Sequence, residues 1–199
     1  MGRLRELFAG SFVELDVKTD SDLEEAQYAA RACAGDARAY AWLVTRHQAS
    51  VHRYLVRLTG APDTARDLAQ DTFLHAFQAI GAWRPEARFR TWLFRIAHNL
   101  AMDHLRRARR ERLFVPIDGG LDVADPAPGP DARLETTQKA RRLEAALAAL
   151  PSAHREVLLL REIEGMSYED IARALDLNLG TVRSRIARAR AALLAVLRS

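Results

Sequence analysis

The sequence predicts an all-α chain of two small helical domains, a helical bundle followed by a helix-turn-helix unit, joined by a flexible acidic linker. Three observations carry this expectation. Apolar residues recur at three- and four-residue spacing through most of the chain, and no segment sustains strand alternation. Residues 116–130 hold four prolines and three glycines among acids, which excludes a regular helix there and suits an exposed tether. Residues 165–194 read as two helices around a tight turn, and the second carries Arg183, Arg185, Arg188 and Arg190 with no acid.

The elements follow in order. Residues 1–21 mix Leu4, Leu7, Phe8, Phe12, Val13 and Leu15 with charges and glycine, and read as a loose extension with a helical turn or two. Asp22–Ala34 forms a first helix, ended by Gly35. Asp36 caps the next, in which Tyr40, Leu43, Val44, His47, Val51, Tyr54, Leu55 and Leu58 keep helical spacing up to Gly60. Pro62 and Asp63 start a third helix, with Ala65, Leu68, Ala69, Thr72, Phe73, Ala76, Phe77 and Ile80 inward. A loop from Gly81 to Ala87 contains Trp83 and Pro85, and a fourth helix runs from about Phe89 to Arg112. Beyond the linker come a helix to Leu150, a break at Pro151, a helix through about Ile163, and the helix-turn-helix pair. The expected division is 1–21 extension, 22–112 first domain, 113–136 linker and 137–199 second domain.

Charge is unevenly spread over the 199 residues. The chain is +4 overall, with −2 over residues 1–83, +6 over 84–112, −4 over 113–136 and +4 over 137–199. Two basic zones flank an acidic connector, which points to two surfaces for a polyanion. Cys33 is the only cysteine, so no disulfide forms within the chain and a reducing compartment fits best. No apolar run approaches the roughly 20 residues of a membrane span, so membrane insertion is not expected. The N-terminus lacks the apolar core of a signal peptide, and a cytoplasmic location is the expectation.

The helix-turn-helix is built locally. Ser167 caps a helix whose first turn holds Glu169 and Asp170, where the dipole favours acids. Ile171, Ala172 and Leu175 share one face, and Asp176-Leu177-Asn178 breaks the pattern. Gly180 and Thr181 open the next helix, which buries Val182, Ile186, Ala189 and Leu193. Arg183, Ser184, Ala187 and Arg188 lie on another side. Arginine there can bond guanine edges in a major groove or phosphate oxygens. A helical hairpin with a solvated arginine face has the same pattern.

Two more constellations lie in the first domain. Asp67, Gln70, Asp71 and Leu74 form one stripe of the third helix, opposite its phenylalanines. That stripe can dock a basic partner or simply face water. Trp83, Arg84, Arg88, Phe89, Arg90, Trp92, Phe94, Arg95 and Asn99 interleave cations with rings, as unpaired nucleic acid requires. Some of these rings must fill the core. Phe94 is expected inside and Trp83, in a loop, is expected to make contact. Arg106, Arg107, Arg109, Arg110 and Arg112 crowd the end of the fourth helix, where they suit both the dipole and phosphate.

DLAQDTFLHAFQ, then FRTWLFRIAHNLAMDHLRR, then LPSAHREVLLLREIEGMSYEDIARALDLNLGTVRSRIARAR together resemble an extracytoplasmic-function (group IV) bacterial sigma factor of the sigma-70 family. The resemblance spans about 22–112 and 137–197. It implies a sigma-2 domain that reads and melts the −10 element and a sigma-4 domain that reads the −35 element. It also implies core RNA polymerase, promoter DNA and an anti-sigma factor as partners. A role in a stress or envelope response is implied as well. By the same resemblance Asp67, Gln70, Asp71 and Leu74 face the β′ clamp helices, and sigma-4 meets the β flap. Trp83, Arg84, Arg88, Trp92 and Asn99, with Arg106 and Arg107, serve the −10 element. Arg183, Ser184, Ala187 and Arg188 serve the −35 groove. Ala187 is smaller than the residue relatives often carry, and the N-terminal extension has no family role.

Other chemistry is poorly represented. The six histidines form no paired zinc spacing, so no metal is expected. No glycine-rich phosphate loop or nucleophile motif is present, and neither a cofactor nor an enzymatic activity is expected. A dimeric helix-turn-helix regulator acting outside polymerase is the alternative, and it would need a dimer helix and half-sites one DNA turn apart. A recombinase would need a catalytic serine or tyrosine in a mixed α/β domain, for which no strands are evident.

Overall fold

A computed structural model describes residues 20–84, 87–114 and 132–198. Residues 1–19 of the N-terminal extension, the proline-rich tether, Pro85 and Glu86 lie outside the described residues. Those described form helices and no strand. The first group is α1 (Asp20–Cys33), α2 (Ala37–Thr59), α3 (Pro62–Ala79), a 3-10 turn (Ile80–Ala82) and α4 (Phe89–Phe114). The second is α5 (Ala132–Ala149), α6 (Ser152–Leu158) running into a π-helical turn (Leu159–Ile163), α7 (Tyr168–Leu175) and α8 (Leu179–Arg198). The helices on either side of the tether reach further into residues 113–136 than the sequence pattern suggests.

Local chemistry sets the boundaries. Asp36 caps α2 by accepting from the N–H groups of Arg38 (2.9 Å) and Ala39 (3.1 Å). Gly60 ends it in the left-handed region at φ 72°, its N–H reaching the Val56 carbonyl at 2.8 Å. Pro62 sits in the first turn of α3, where its missing N–H costs nothing.

α2 is the axis of the first domain and packs on α1, α3 and α4. Leu43, Val51, Tyr54, Leu55 and Leu58 of α2 meet Ala65, Leu68 and Ala76 of α3 and Phe89, Leu93, Phe94 and Ala97 of α4. Tyr54 and Phe94 pack edge to face at 5.4 Å, and Phe94 is in the core as expected. The second domain packs α6 on α8 and α7 on α8, burying Val157, Leu158, Ile171, Val182, Ile186, Ala189 and Leu193.

Two expectations fail in this core. Phe77 is 54% exposed rather than inward, although its ring meets Tyr40 edge to face at 5.1 Å. α3 turns Ala65, Leu68, Thr72 and Ala76 to the core, and the packing around its last turn leaves Phe77 outside that covered side. Trp83 is 7% exposed and packs edge to face on Phe89 at 6.4 Å. The 3-10 turn continues the inward series Ala65, Leu68, Thr72, Ala76 and Ile80, so the ring three residues later falls on the buried side.

The two domains pack against each other. α4 lies along α7, and α2 touches α5, α6 and the π-helical turn.

Candidate nucleic-acid interface

In the second domain, the serine cap is reciprocal. Ser167 Oγ accepts from the Asp170 N–H at 3.0 Å and donates to the Asp170 carboxylate at 2.7 Å. Asp176 turns the chain at φ 53°. Asn178 Oδ1 accepts from the Thr181 N–H at 2.7 Å, so the residue read only as part of the turn is the cap of α8.

The arginines of α8 then divide into two sets. Arg185 donates to Glu156 at 3.1 Å, and Arg190 Nε donates to Glu162 at 2.8 Å. These two fasten α8 to α6 and the π-helical turn. Arg183, Ser184, Ala187 and Arg188 are all exposed. Arg183 and Arg188 have no ion pair among the described residues, so both guanidiniums are free for an anion or a base edge. Ser184 bonds its own helix through the Thr181 carbonyl at 3.1 Å.

In the first domain, Glu25 of α1 positions the start of α4. Its carboxylate accepts from the Arg90 N–H at 3.2 Å and lies 3.1 Å from His47 Nε2. Burial pushes its pKa up, but the adjacent His47 and the Arg90 N–H outweigh this and hold it below the ordinary 4.5. Arg88, Trp92, Arg95 and Asn99 follow one face of α4. Arg88, Arg95 and Asn99 are exposed, and Trp92 is half-buried on Phe89 at 5.6 Å. Arg88 lies 3.5 Å from Asp22. Arg84 is exposed beside this face and bonds the Gly81 and Trp83 carbonyls. Arg106 and Arg107 are exposed further along, and Arg106 pairs with Asp103.

Trp83 departs from expectation, since its ring is in the core rather than free for stacking. Its Nε1 is buried with no hydrogen-bond partner among the described residues. Asp67, Gln70, Asp71 and Leu74 are exposed together on α3, and Leu74, 52% exposed, continues into Phe77. The stripe is therefore more apolar at its C-terminal end than its sequence spacing indicates.

The contact between domains carries ion pairs that no local pattern in the sequence indicates. Glu164, 1% exposed, receives Arg53 of α2 at 3.1 Å on one oxygen and Arg90 of α4 at 2.8 Å on the other. Thr91 donates to Asp170 at 3.1 Å, and Arg57 pairs with Glu144 at 2.7 Å. His98 of α4 lies between Tyr54 (3.5 Å) and Glu156 (3.7 Å). Burial, then the charges of Arg106 and Arg185, lower its pKa to about 4. Gly165, at φ 64°, turns the chain directly after Glu164. In sequence the trace of this contact is the scatter of acids at Glu144, Glu156, Glu164 and Asp170, which nothing local connects to the first domain.

Comparison with known proteins places the chain in a class of proteins. The family described as Sigma-70 region 2 matches residues 43–111, and the one described as Sigma-70, region 4 matches residues 140–193. The RNA polymerase sigma-H factor of Pseudomonas aeruginosa is 36% identical over 180 residues, covering 85% of this chain and 92% of the relative. The ECF RNA polymerase sigma-E factor of Haemophilus influenzae is 37% identical over 164 residues, covering 78% and 86%. The solved sigma factor RpoE of Bartonella quintana, in complex with the anti-sigma factor NepR, superimposes with a TM-score of 0.66. It is 26% identical, covering 80% of this chain and 96% of that one. The chain belongs to the extracytoplasmic-function sigma factors of the sigma-70 family. A dimeric regulator is not favoured, because both sigma regions occur here in one chain and the match runs nearly the full length of the relatives.

Proposed function

We propose that this chain is an alternative sigma factor, a promoter-specificity subunit that binds core RNA polymerase and directs initiation. It has no catalytic activity of its own and works in the cytoplasm with polymerase; no helix among the described residues is long and apolar enough to cross a membrane. Residues 22–112 would serve the −10 element and 137–199 the −35 element. The observation that best supports this reading is that one chain carries three separate faces reached by solvent. These are the α3 stripe of Asp67, Gln70, Asp71 and Leu74, the α4 face of Arg88, Trp92 and Asn99 with Arg84, Arg106 and Arg107, and the α8 face of Arg183, Ser184, Ala187 and Arg188. An ordinary DNA-binding regulator needs only the last. The α3 stripe, acidic with an apolar end, suits the β′ clamp helices, and the second domain would meet the β flap.

Trp83 keeps a supporting role in this reading, setting the edge of the −10 pocket through Phe89 rather than stacking on a base. Bartonella RpoE in complex with an anti-sigma factor supports control of this chain by a partner of that kind, in a stress or envelope response. The test is transcription in vitro. Core polymerase with this chain should initiate at specific promoters, and core alone should not. Asp71→Arg should abolish co-purification with core while leaving the circular-dichroism melt unchanged. Absence of promoter-specific transcripts from the reconstituted holoenzyme would overturn the function, and unaltered co-purification would remove the stripe from the interface.

A further inference from the structure

The first domain grips an anion at a place that none of the three faces uses. Arg53 comes from the middle of α2 and Arg90 from the first turn of α4, and they take separate oxygens of the Glu164 carboxylate at 3.1 and 2.8 Å. Arg90 is oriented from within its own domain. Its guanidinium lies 5.5 Å from the centre of the Phe94 ring, and its N–H bonds Glu25. The cradle is thus assembled by the first domain, and only its occupant comes from the second.

That occupant cannot stay during promoter binding. The −10 and −35 elements are separated by about 25 base pairs, or ~85 Å at about 3.4 Å per pair. A closed chain of this length spans roughly 45 Å. Engaging both elements requires the domains to part, which withdraws Glu164 and leaves two neighbouring cations without a counter-charge. Guanidinium pairs hold phosphate oxygens with the geometry they use for carboxylate. Arg90 lies between Arg88 and Trp92 in sequence, at the border of the α4 face assigned to the unpaired strand. Thr91, bonded to Asp170 at 3.1 Å in the closed form, repeats the pattern one residue on.

We propose that Arg53 and Arg90 form a backbone-phosphate site for single-stranded promoter DNA, and that the Glu164 carboxylate fills this site while the two domains are together. The chain alone then carries its own competitor for the DNA, and opening on core polymerase exposes the site. This rests on the sigma-factor reading, whose own test is promoter-specific transcription by the holoenzyme.

The experiment measures binding of the full chain, without polymerase, to a fluorescently labelled 20-nucleotide DNA strand of mixed sequence across a salt series. Glu164→Gln should bind about 5-fold more tightly than the parent at 0.1 M salt, and its log K against log salt should steepen by about 0.7, the value for one more phosphate on a single strand. Asp63→Asn, which removes one exposed charge from α3, should not reproduce this. Adding Arg53→Gln and Arg90→Gln to Glu164→Gln should return both quantities to the parent values. If Glu164→Gln gains nothing beyond Asp63→Asn, or keeps its gain without the two arginines, the site does not exist. A second measurement avoids the closed form and any folding defect of Glu164→Gln. In the holoenzyme, Arg53→Gln with Arg90→Gln should flatten the salt slope for the same strand by about 0.7, and an unchanged slope overturns the proposal even where promoter-specific transcription is intact.

Discussion

The two basic helices of this chain compensate their arginines in different ways. α8 settles its charges inside its own domain. Arg185 and Arg190 turn to Glu156 and Glu162, and Arg183 and Arg188 are left outward. The outward face therefore exists whatever the first domain does. α4 is compensated across the chain. Arg90 and Thr91 meet Glu164 and Asp170 of the second domain, while Arg88, Arg95 and Asn99 stay exposed. Its charge state as a nucleic-acid surface depends on whether the domains touch. One outward cationic face is built in permanently, and on the proposal above the other gains a cationic strip when the chain opens.

The strongest way to break the comparison is to remove the acid that serves both sides. Glu156 holds Arg185 within the second domain and faces His98 of the first. Glu156→Ala should destabilise the chain by about 2–3 kcal/mol, below the ~3–5 kcal/mol of a fully buried pair because Arg185 is partly solvated. Thermal denaturation checks this, and a loss under about 0.5 kcal/mol, the size of a surface substitution, would show that α8 does not depend on it.

A smaller effect separates the two sets of α8 arginines. Arg188→Ala should cost roughly 1–3 kcal/mol at the −35 element and relax its sequence preference. Arg190→Ala should lower stability and leave the preference as it was. Holoenzyme footprinting on a panel of −35 variants reads both, and equal changes in preference would erase the division.

The smallest expected effect concerns the α4 side. His98 is held near 4 in the closed chain against an ordinary 6.5. A depressed pKa means that an opened or unfolded chain binds the extra proton first. Closure is therefore most favoured above pH 6.5 and weakens as the pH falls from 6.5 toward 4, by at most about 1.4 kcal/mol at pH 5.5, because Tyr54 and Arg106 of the first domain stay beside His98 when the domains part. Burial raises the pKa of the facing Glu156, which offsets part of this at the acid end. Fluorescence transfer between dyes on the two domains should fall between pH 7 and 5.5 in the parent chain and stay flat in His98→Gln. A flat response in both would separate His98 from closure.

Much of the chain was legible residue by residue. Asp36, Gly60, Pro62 and Ser167 mark helix ends through bonds within a few residues, and the inward series Val182, Ile186, Ala189 and Leu193 is fully buried as its spacing requires. The acidic stripe and the outward α8 residues are also where helical spacing puts them. Phe77 and Trp83 depart from the local pattern because both lie near the end of α3, where the packing of neighbouring elements decides burial. Asn178 could have been found, since it stands three residues before Thr181 in the position of a cap.

By itself the sequence determined the helices, their caps, their buried stripes and the choice of arginines that face outward from α8, since each depends on neighbours within one or two turns. The tertiary structure decided that Trp83 is core, that Phe77 is surface, and that Glu164 lies between Arg53 and Arg90. Those outcomes join residues up to 111 positions apart. No local periodicity encodes such a meeting, because a charge finds its partner through the packing of whole domains.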